Sequence, residues 1–258
     1  MPEILVLSLS SATARREDTT AELERYDLPF RFFDAPVAGE LDEAEVSDLY
    51  DAGTNAVRYK TALSSGEIAC YLGHIAMWRE IAASSSNATL ILEDDCQFLR
   101  DPRPVLKETD NYDLSGMILK LDGEAPDDAT EIMRFGDGSL VRTNVLPPRT
   151  TGYLIGAEAA QLMLNARSRF FRPVDIDLKH YWEHGVPILT MRPALISERP
   201  DNQSMITPDR SDRKSRSPLR RLMRNVAYQR AFRRGIRLQN NAEGFLPAVR
   251  TQPHEAET

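Results

Sequence analysis

Residues 88–98 read ATLILEDDCQF, an apolar run that leads directly into the three consecutive carboxylates Glu93, Asp94 and Asp95. The apolar part has the length and composition of a buried strand. Adjacent like charges repel each other, so a strand that ends in three of them indicates a cation nearby. Ligands of open α/β sheets bind beyond the carboxyl ends of the strands, and carboxylates there suit Mg²⁺ or Mn²⁺. We therefore predict a divalent metal site, with a solvated acidic turn as the alternative.

Outward from this stretch, apolar runs alternate with segments of helical periodicity. The predicted strands are residues 3–10, 29–36, 88–92, 116–122, 152–156 and 186–191. The predicted helices are residues 15–26, 41–50, 66–83, 157–166 and 174–185. This alternation predicts an α/β fold with a mostly parallel central sheet and helices on both faces. Residues 122–150, rich in Asp, Gly, Arg and Pro, are predicted to form a long loop or an irregular hairpin, and loops of that length are often functional.

The composition is that of a globular protein with room for a large core. The chain has 258 residues, of which 41% are hydrophobic and 28% are charged. The two cysteines, Cys70 and Cys96, form no metal-binding pair or redox motif, so a reducing compartment is expected. The sequence has no signal-peptide pattern and no apolar run of about 20 residues, which favours a cytoplasmic protein.

The net charge of −7 is unevenly distributed along the chain. Residues 208–239 contain eleven Arg or Lys against Asp209 and Asp212, a net +9, whereas residues 1–207 carry −14. We therefore predict an α/β domain over residues 1–207, a basic amphipathic helical tail over 208–239 and a disordered C-terminus over 240–258. A basic segment of this kind indicates an anionic partner.

Two further motifs have a functional and a structural interpretation. HYWEH (residues 180–184) matches the H-x-x-E-H pattern of zinc peptidases, but Gly185 closes a predicted helix there, and a histidine at a helix end is favourable for the helix dipole alone. RPVDIDL (residues 172–178) places Asp175 and Asp177 at a helix start, where they could act as a general base or simply stabilise the first turn. His74, on an apolar helix, is predicted to be a hydrogen-bonded core residue. No P-loop, G-x-G-x-x-G or G-x-S-x-G motif is present.

Taken together, the segments resemble glycosyltransferase family 25, the lipooligosaccharide galactosyltransferase type of bacteria. The matching segments, in the family's order, are LSLSSATARRE, FRFFDAP, SSGEIACYLGHIAMWREI, ATLILEDDCQF, TTGYLIGAEAAQLML, RPVDIDL and RPDNQSMI. They cover residues 3 to 206, and GEIACYLGHIAMW followed closely by LILEDD is the most specific part. The family's usual Gly-Cys and Ser-His are Ala69-Cys70 and Gly73-His74 in this chain.

The resemblance implies a GT-A-like nucleotide-sugar-binding fold and an inverting glycosyltransferase that uses Mn²⁺ or Mg²⁺. The donor would be a UDP-sugar, with UDP-galactose first, and the acceptor a lipopolysaccharide, lipooligosaccharide or other cell-envelope glycan. The implied site residues are Asp95 and Glu93 for the metal, Arg15, Arg16, Glu93 and Asp94 for the donor, and Asp175 or, as second choice, Asp177 for the base. The alternatives are a catalytically silent GT-A domain that binds glycans and a zinc peptidase built on HYWEH.

The basic tail is predicted to bind an anionic membrane surface. Leu219, Leu222, Met223 and Val226 follow a Ser-Pro helix start at helical spacing and are flanked by arginines. Such a helix would hold a cytoplasmic enzyme on the inner face of the membrane, close to a lipid-linked acceptor. No nucleic-acid partner is expected, although a basic segment alone is also compatible with nucleic-acid binding or with plain solvation.

Overall fold

The computed structural model describes residues 1–200, 218–240 and 250–251. The described strands are β1 (Glu3–Ser8), β2 (Arg31–Asp34), β3 (Thr89–Glu93), β4 (Cys96–Phe98), β5 (Tyr112–Asp113), β6 (Ile118–Lys120), β7 (Thr130–Phe135), β8 (Gly138–Arg142), β9 (Gly152–Ile155), β10 (Ile188–Arg192), β11 (Ile196–Glu198) and β12 (Arg250–Thr251). Eight of them form one sheet in the order β2-β1-β3-β9-β6-β10-β8-β7. β9 and β8 run against the other six, so the sheet is mixed but mostly parallel.

Both faces of the sheet are covered by helices. The described helices are α1 (Thr13–Glu24), α2 (Glu43–Leu49), α3 (Ala52–Arg58), α4 (Ser65–Ala82), α5 (Arg103–Glu108), α6 (Ala157–Ala166), α7 (Val174–Leu178), α8 (Tyr181–His184) and α9 (Pro218–Asn240). Along β1, Leu5 and Leu7 pack into a core with α4 and α6, whereas Ile4 and Val6 pack into a second core with α1 and α5. Successive strand residues point to opposite faces, which explains why the buried strands are apolar throughout.

More than half of the residues of helix α4 are buried, and its sequence explains both its start and its position. Ser64 and Glu67 form a capping box that satisfies backbone N–H groups at the N-terminus. Gly73 lets the helix approach β1 closely, since a Cβ there would lie 2.9 Å from Leu7 Cδ1. This close approach brings the middle of α4 over the end of β3.

Two expectations need to be refined. Residues 130–142 form an antiparallel hairpin, β7–β8, with a bulge between Glu131 and Met133, so the irregular hairpin is the correct one of the two expected forms. The single helix predicted over residues 174–185 is wrong, because the chain forms α7 and α8 with a break at Lys179 and His180. The His180 backbone (φ −95°, ψ 45°) leaves the helical region, and Gly185 in the left-handed region (φ 72°) ends α8.

The carboxyl ends of the parallel strands meet at one edge of the sheet. The register places Ser8 opposite Asp34 and, one residue earlier in β1, Leu7 opposite Glu93. β6 ends at Lys120 on the same edge, and antiparallel β9 begins there after Thr150 and Thr151. Polar and charged residues from five strand ends are therefore brought together.

Helix α9 packs against the rest of the protein. Tyr228 is buried and makes an edge-to-face contact with Tyr59, and Gly235 lies so close to Trp182 that no Cβ would fit. The remainder of the predicted tail, residues 208–217, lies outside the described residues. So does the C-terminus from 241 onward, apart from Arg250–Thr251, which pairs with β5. Within the described ranges, no helix is both long and apolar enough to cross a membrane.

Candidate active site

The turn after β3 carries the acidic motif, Glu93, Asp94 and Asp95, at the carboxyl edge of the sheet. Glu93 ends β3, and the two aspartates form the turn before β4. Asp94 is held from two sides, because Ser8 Oγ donates to its Oδ2 (2.6 Å) and Thr19 Oγ1 donates to its backbone carbonyl oxygen (2.9 Å). The turn is thereby fixed to β1 and α1, which gives its carboxylates a defined direction.

Arg15 of α1 neutralises part of this negative charge. Its Nη2 lies 2.9 Å from Asp94 Oδ1 and 3.0 Å from Asp95 Oδ2. Arg16 points to the neighbouring strand end, where it donates to the carbonyl oxygen of Ser8 (3.0 Å). The structure thus brings Arg15 into the acidic motif and Arg16 to its border.

One oxygen of Asp95 is not used by the described residues. Its Oδ1 is buried and has no hydrogen-bond partner among them, and the same holds for Arg15 Nε. Buried polar atoms are almost always paired in proteins, so two unpaired atoms at one place indicate a site built for a bound group. Carboxylate oxygens are the ligands that Mg²⁺ and Mn²⁺ prefer, and the residues present therefore fit the implied ion.

The three carboxylates differ in their pKa values. Burial and the charge of Glu93 raise the pKa of Asp95 to about 7, and burial raises the pKa of Asp94. Burial also acts on Glu93, but its contacts with His74, Thr150 and Lys120 together hold the pKa of Glu93 below its ordinary value. Carboxylates whose pKa values are driven apart are typical of sites that bind cations or transfer protons.

Glu93 lies between the end of β9 and α4. Its Oε1 accepts a hydrogen bond from Thr150 Oγ1 and lies 3.5 Å from His74 Nε2. His74 Nδ1 lies 2.8 Å from Tyr153 Oη, which also accepts a hydrogen bond from Trp78 Nε1 (2.9 Å). His74 is a buried, hydrogen-bonded residue, as the sequence predicts, but it also borders the acidic motif, which the sequence alone did not indicate.

Lys120 and Asp122 form a buried ion pair beside the motif, and sequence reasoning missed both. Lys120 Nζ lies 2.8 Å from Asp122 Oδ1, and it also donates to the carbonyl oxygen of Arg149 (2.6 Å). The charge of Lys120 helps to lower the pKa of Glu93. The signal in the sequence was a lysine inside the apolar run ILKLD with an acid two residues later, because alternate strand positions share a side and buried charges occur in pairs.

Asp175, the first choice for the base, lies half-buried at the start of α7. Its Oδ2 accepts a long hydrogen bond from the backbone N–H of Arg149 (3.4 Å). Burial raises the pKa of Asp175, and the charges of Glu93 and Lys120 both act on it, in opposite directions. Arg149 has φ 81°, a strained conformation for a residue with a side chain, and such strain concentrates at functional sites. Asp175 therefore shares the electrostatic surroundings of the acidic motif.

Asp177, the second choice, is not brought to this site. It is buried in an ion-pair cluster, where its Oδ2 accepts from Tyr71 Oη (2.5 Å) and Arg167 Nε (2.6 Å), and Arg172 Nη2 lies 2.6 Å from Oδ1. Burial favours the neutral acid, but the charges of Arg172 and Arg167 outweigh it and hold the pKa of Asp177 below its ordinary value. These contacts are those of a structural carboxylate.

The HYWEH motif is likewise engaged in structural contacts. His184 Nδ1 accepts from the backbone N–H of Val186 (3.1 Å), and its Nε2 faces the carbonyl oxygen of Leu178 (3.3 Å), so both ring nitrogens are used. His180 Nδ1 lies 2.8 Å from the carbonyl oxygen of Ile176. The acid of the motif, Glu183, is paired with Arg58, Arg167 and Arg172. A zinc ion would have to replace most of these contacts.

The described part of the chain has two open cavities of similar size. One, of about 430 Å³, is lined by Arg149, Lys179 and the loop from Val145 to Pro148, and Arg149 connects it to Asp175. The other, of about 540 Å³, lies between α2, α3 and the start of α4 and is lined in part by Tyr50 and Arg169.

Comparison with known proteins gives one family match and several relatives. The sequence profile described as glycosyltransferase family 25 (LPS biosynthesis protein) matches residues 1–178. A Haemophilus influenzae protein whose name gives only the class glycosyltransferase is 28% identical over 178 residues, or 66% of this chain and 59% of that protein. The lacto-N-neotetraose biosynthesis glycosyltransferase LgtE of Neisseria meningitidis is 24% identical over 210 residues, or 75% of this chain and 72% of its own length.

A third relative is a human protein whose name describes it as inactive. The inactive glycosyltransferase 25 family member 3 of Homo sapiens is 30% identical over 100 residues, or 37% of this chain and 17% of that protein. The family match covers more than half of the chain and includes α4, the acidic motif and α7. The family expected from the sequence motifs is thereby confirmed: the chain belongs to glycosyltransferase family 25.

Proposed function

We propose that this chain is a metal-dependent inverting glycosyltransferase that transfers galactose from UDP-galactose to a cell-envelope glycan. The observation that carries the proposal is the buried Oδ1 of Asp95, which has no hydrogen-bond partner in the described part of the chain and belongs to a triplet of carboxylates at the carboxyl edge of the sheet. A solvated acidic turn would not bury a carboxylate oxygen without a partner, because the cost is about 1–3 kcal/mol. A site for Mn²⁺ or Mg²⁺ accounts for that cost.

We assign the donor contacts to the acidic motif and Arg15. Asp95 and Glu93 would hold the ion, and the ion would stabilise the charge that develops on the departing nucleoside diphosphate. Arg15 already lies against Asp94 and Asp95, and its buried Nε has no partner among the described residues, so its guanidinium can donate to a diphosphate as well. Arg16 is assigned to the border of the donor site. These assignments agree with a GT-A-like arrangement, which remains part of the proposal.

Asp175 is proposed as the general base. An inverting transfer needs a group that takes the proton from the acceptor hydroxyl, and a carboxylate with a raised pKa suits this role. Asp175 is half-buried, and its one described hydrogen bond with another segment is long, whereas Asp177 is fully engaged with two arginines. The cavity beside Arg149 and Lys179 is the space that we assign to the acceptor.

The donor and acceptor are proposed from the family and the names of the relatives. The family description refers to LPS biosynthesis, and the Neisseria relative is named for lacto-N-neotetraose biosynthesis. We infer a lipid-linked lipopolysaccharide or lipooligosaccharide acceptor for this chain. The decisive experiment is a screen of UDP-sugars with Mn²⁺, first by thermal shift and then by transfer to such an acceptor. Mn²⁺-dependent stabilisation by UDP-galactose and transfer of its sugar would support the assignment.

A catalytically silent glycan-binding domain is the second candidate, and the human relative named inactive keeps it open. Such a domain would bind glycan but show no Mn²⁺-dependent donor binding and no turnover. The zinc-peptidase alternative is disfavoured, because both nitrogens of His184 are already used. His180→Ala and His184→Ala should therefore leave the metal content of the purified protein unchanged.

We also propose that α9 holds the enzyme on the inner face of the cytoplasmic membrane. Arg230, Arg233, Arg234 and Arg237 recur at helical spacing, and all four are exposed. At 100° per residue they occupy the side of the helix opposite Tyr228, Phe232 and Gly235, which pack on the protein. A row of arginines directed away from the body fits an anionic lipid surface, where a lipid-linked acceptor would also lie.

A further inference from the structure

Cys70, His74 and Glu93 converge on one point beside the acidic motif. Their ligand atoms, the Cys70 Sγ, a His74 ring nitrogen and a Glu93 carboxylate oxygen, all lie within 4.8 Å of one another. Cys70 and His74 are four residues apart on α4 and therefore share a face of that helix. The proposed transfer reaction uses neither of these two residues.

The strongest sign that this cluster binds something is His74. The residue is 0% exposed, and its Nε2 is buried without a hydrogen-bond partner in the described ranges, 3.5 Å from Glu93 Oε1. The other ring nitrogen faces Tyr153 Oη, which has two lone pairs, only one of them used by Trp78. Tyr153 Oη can accept a hydrogen bond from Nδ1–H of His74, and in that tautomer the lone pair of Nε2 points into the cluster. Metal-binding histidines are commonly oriented by a hydrogen bond at the second nitrogen in this way.

The chemical types of the three ligands indicate which metal ion the cluster would bind. A thiolate, an imidazole and a carboxylate form a set that suits Zn²⁺, whereas Mn²⁺ and Mg²⁺ prefer sites made of oxygen atoms. The charges also balance, because Zn²⁺ with one thiolate, one carboxylate and a neutral imidazole has no net charge, which favours burial. The thiol proton would leave to solvent when the ion binds. We propose that Cys70, His74 and Glu93 form a Zn²⁺ site with three protein ligands, distinct from the oxygen-ligand site at Asp95.

Zn²⁺ binding at this cluster would compete with Mn²⁺ or Mg²⁺ binding at the donor site, because both ions would use the Glu93 carboxylate. Zn²⁺ bound to Cys70 and His74 would hold the Glu93 carboxylate toward α4 and withdraw it from the donor site. Zn²⁺ would then inhibit a transferase that Mn²⁺ supports. This consequence rests on the proposed function, whereas the binding site itself does not.

Co²⁺ tests the site directly, since a cobalt–thiolate bond gives a near-ultraviolet charge-transfer band that oxygen and nitrogen ligands do not give. The full chain, stripped of metal, is titrated with Co²⁺ and the bound Co²⁺ is then displaced with Zn²⁺. We expect one equivalent of Co²⁺ with a thiolate band in the wild type. Cys96→Ser is the matched control, because Cys96 is buried in the other core, and it should keep the band. Cys70→Ser should lose the band and bind Zn²⁺ at least about 10-fold more weakly, since even the loss of an outer partner costs that much.

Three outcomes would overturn the site: wild-type protein that takes up no Co²⁺, bound Co²⁺ without a thiolate band, or a band that Cys70→Ser retains. The wild-type spectrum decides the question even if the Cys70 variant does not fold, and His74→Asn provides a second variant that should weaken Zn²⁺ binding. In the transfer assay, Zn²⁺ should inhibit the wild type and Cys96→Ser more strongly than Cys70→Ser. If every variant is inactive, the proposed function fails while the cobalt spectrum still supports the metal site.

Discussion

Arg15 Nη2 lies 3.0 Å from Asp95 Oδ2, while the other oxygen of the same carboxylate is buried and has no hydrogen-bond partner among the residues that the structure describes. These residues therefore satisfy only one of the two carboxylate oxygens. We predict that Asp95→Asn abolishes Mn²⁺-dependent binding of UDP-galactose, because an amide oxygen is a neutral and weaker ligand for a hard dication. The ion pair between Arg15 and Asp94 remains in this variant and should preserve the fold. Isothermal titration with UDP-galactose, with and without Mn²⁺, measures the effect.

The matched control for this prediction is Asp128→Asn, which removes one exposed carboxylate outside the site. It should bind UDP-galactose like the wild type at every Mn²⁺ concentration. Unchanged donor affinity of Asp95→Asn in the presence of Mn²⁺ would exclude Asp95 as a metal ligand.

Asp175→Asn is expected to lower turnover by at least about 10², the low end for loss of a positioned general base, while donor binding stays close to that of the wild type. The reason is that Asp175 shares the surroundings of Glu93 and Lys120 but does not belong to the acidic motif. Steady-state transfer rates and titration with UDP-galactose separate the two effects. Normal turnover combined with a lower melting temperature would show that Asp175 only stabilises the start of α7.

Asp177→Asn should have the opposite profile. Removing the charge from a carboxylate that faces Arg167 and Arg172 leaves two buried guanidinium groups poorly compensated, which costs about 3 kcal/mol of unfolding free energy. Urea unfolding of this variant and of Asp175→Asn gives a direct comparison between neighbouring positions on one helix. Equal stability of the two variants would contradict the structural role assigned to Asp177.

The strands and helices could be predicted because their signals are local. The apolar runs that became β1, β3 and β10 and the buried face of α4 each lie within one continuous segment. The directions of β8 and β9 could not be predicted, since strand pairing depends on contacts between segments far apart in sequence. The same limit applies to Lys120, whose partner carbonyl on Arg149 is 29 residues away.

The same contrast between local signals and contacts across the fold applies to the site residues. The acidic motif was recognisable because three carboxylates after an apolar strand are unusual in any context. Sequence spacing did not distinguish Asp175 from Asp177, since both lie in the first turn of a helix, and Asp175 was placed first only by the family resemblance. The fold directs Asp175 toward Arg149 and Asp177 toward Arg172. A related limit explains why the break between α7 and α8 was not predicted. The segment VDIDLKHYWEHG has no proline or glycine before Gly185, and the break depends on buried contacts of His180.

The free energy of unfolding should fall as the pH is lowered from about 6.5 to about 4. Burial lowers the pKa of His180 and of His184 to about 4 in the folded protein, from an ordinary value of 6.5. The unfolded chain binds more protons across this window, so stability present above pH 6.5 is lost on acidification, by up to about 3 kcal/mol for each residue. His180→Phe keeps an aromatic ring next to Trp182 and removes one titrating group. Urea unfolding at pH 7.5 and 4.5 should show a smaller pH effect in this variant, and an identical effect would contradict the assignment.

The outward row of arginines on α9 gives the last prediction, which separates membrane binding from folding. Each basic residue near an anionic surface contributes about 1 kcal/mol, so replacing three of them by glutamine should weaken vesicle binding by roughly 10². The variant is Arg230→Gln/Arg233→Gln/Arg237→Gln, and the charge-matched control is Arg25→Gln/Arg79→Gln/Arg142→Gln on the body. Because the packed side of α9, with Tyr228 and Gly235, is untouched, the melting temperature should not change. Sedimentation with vesicles of phosphatidylglycerol and phosphatidylcholine measures the binding. Equal losses in both variants would point to net charge rather than to this face of α9.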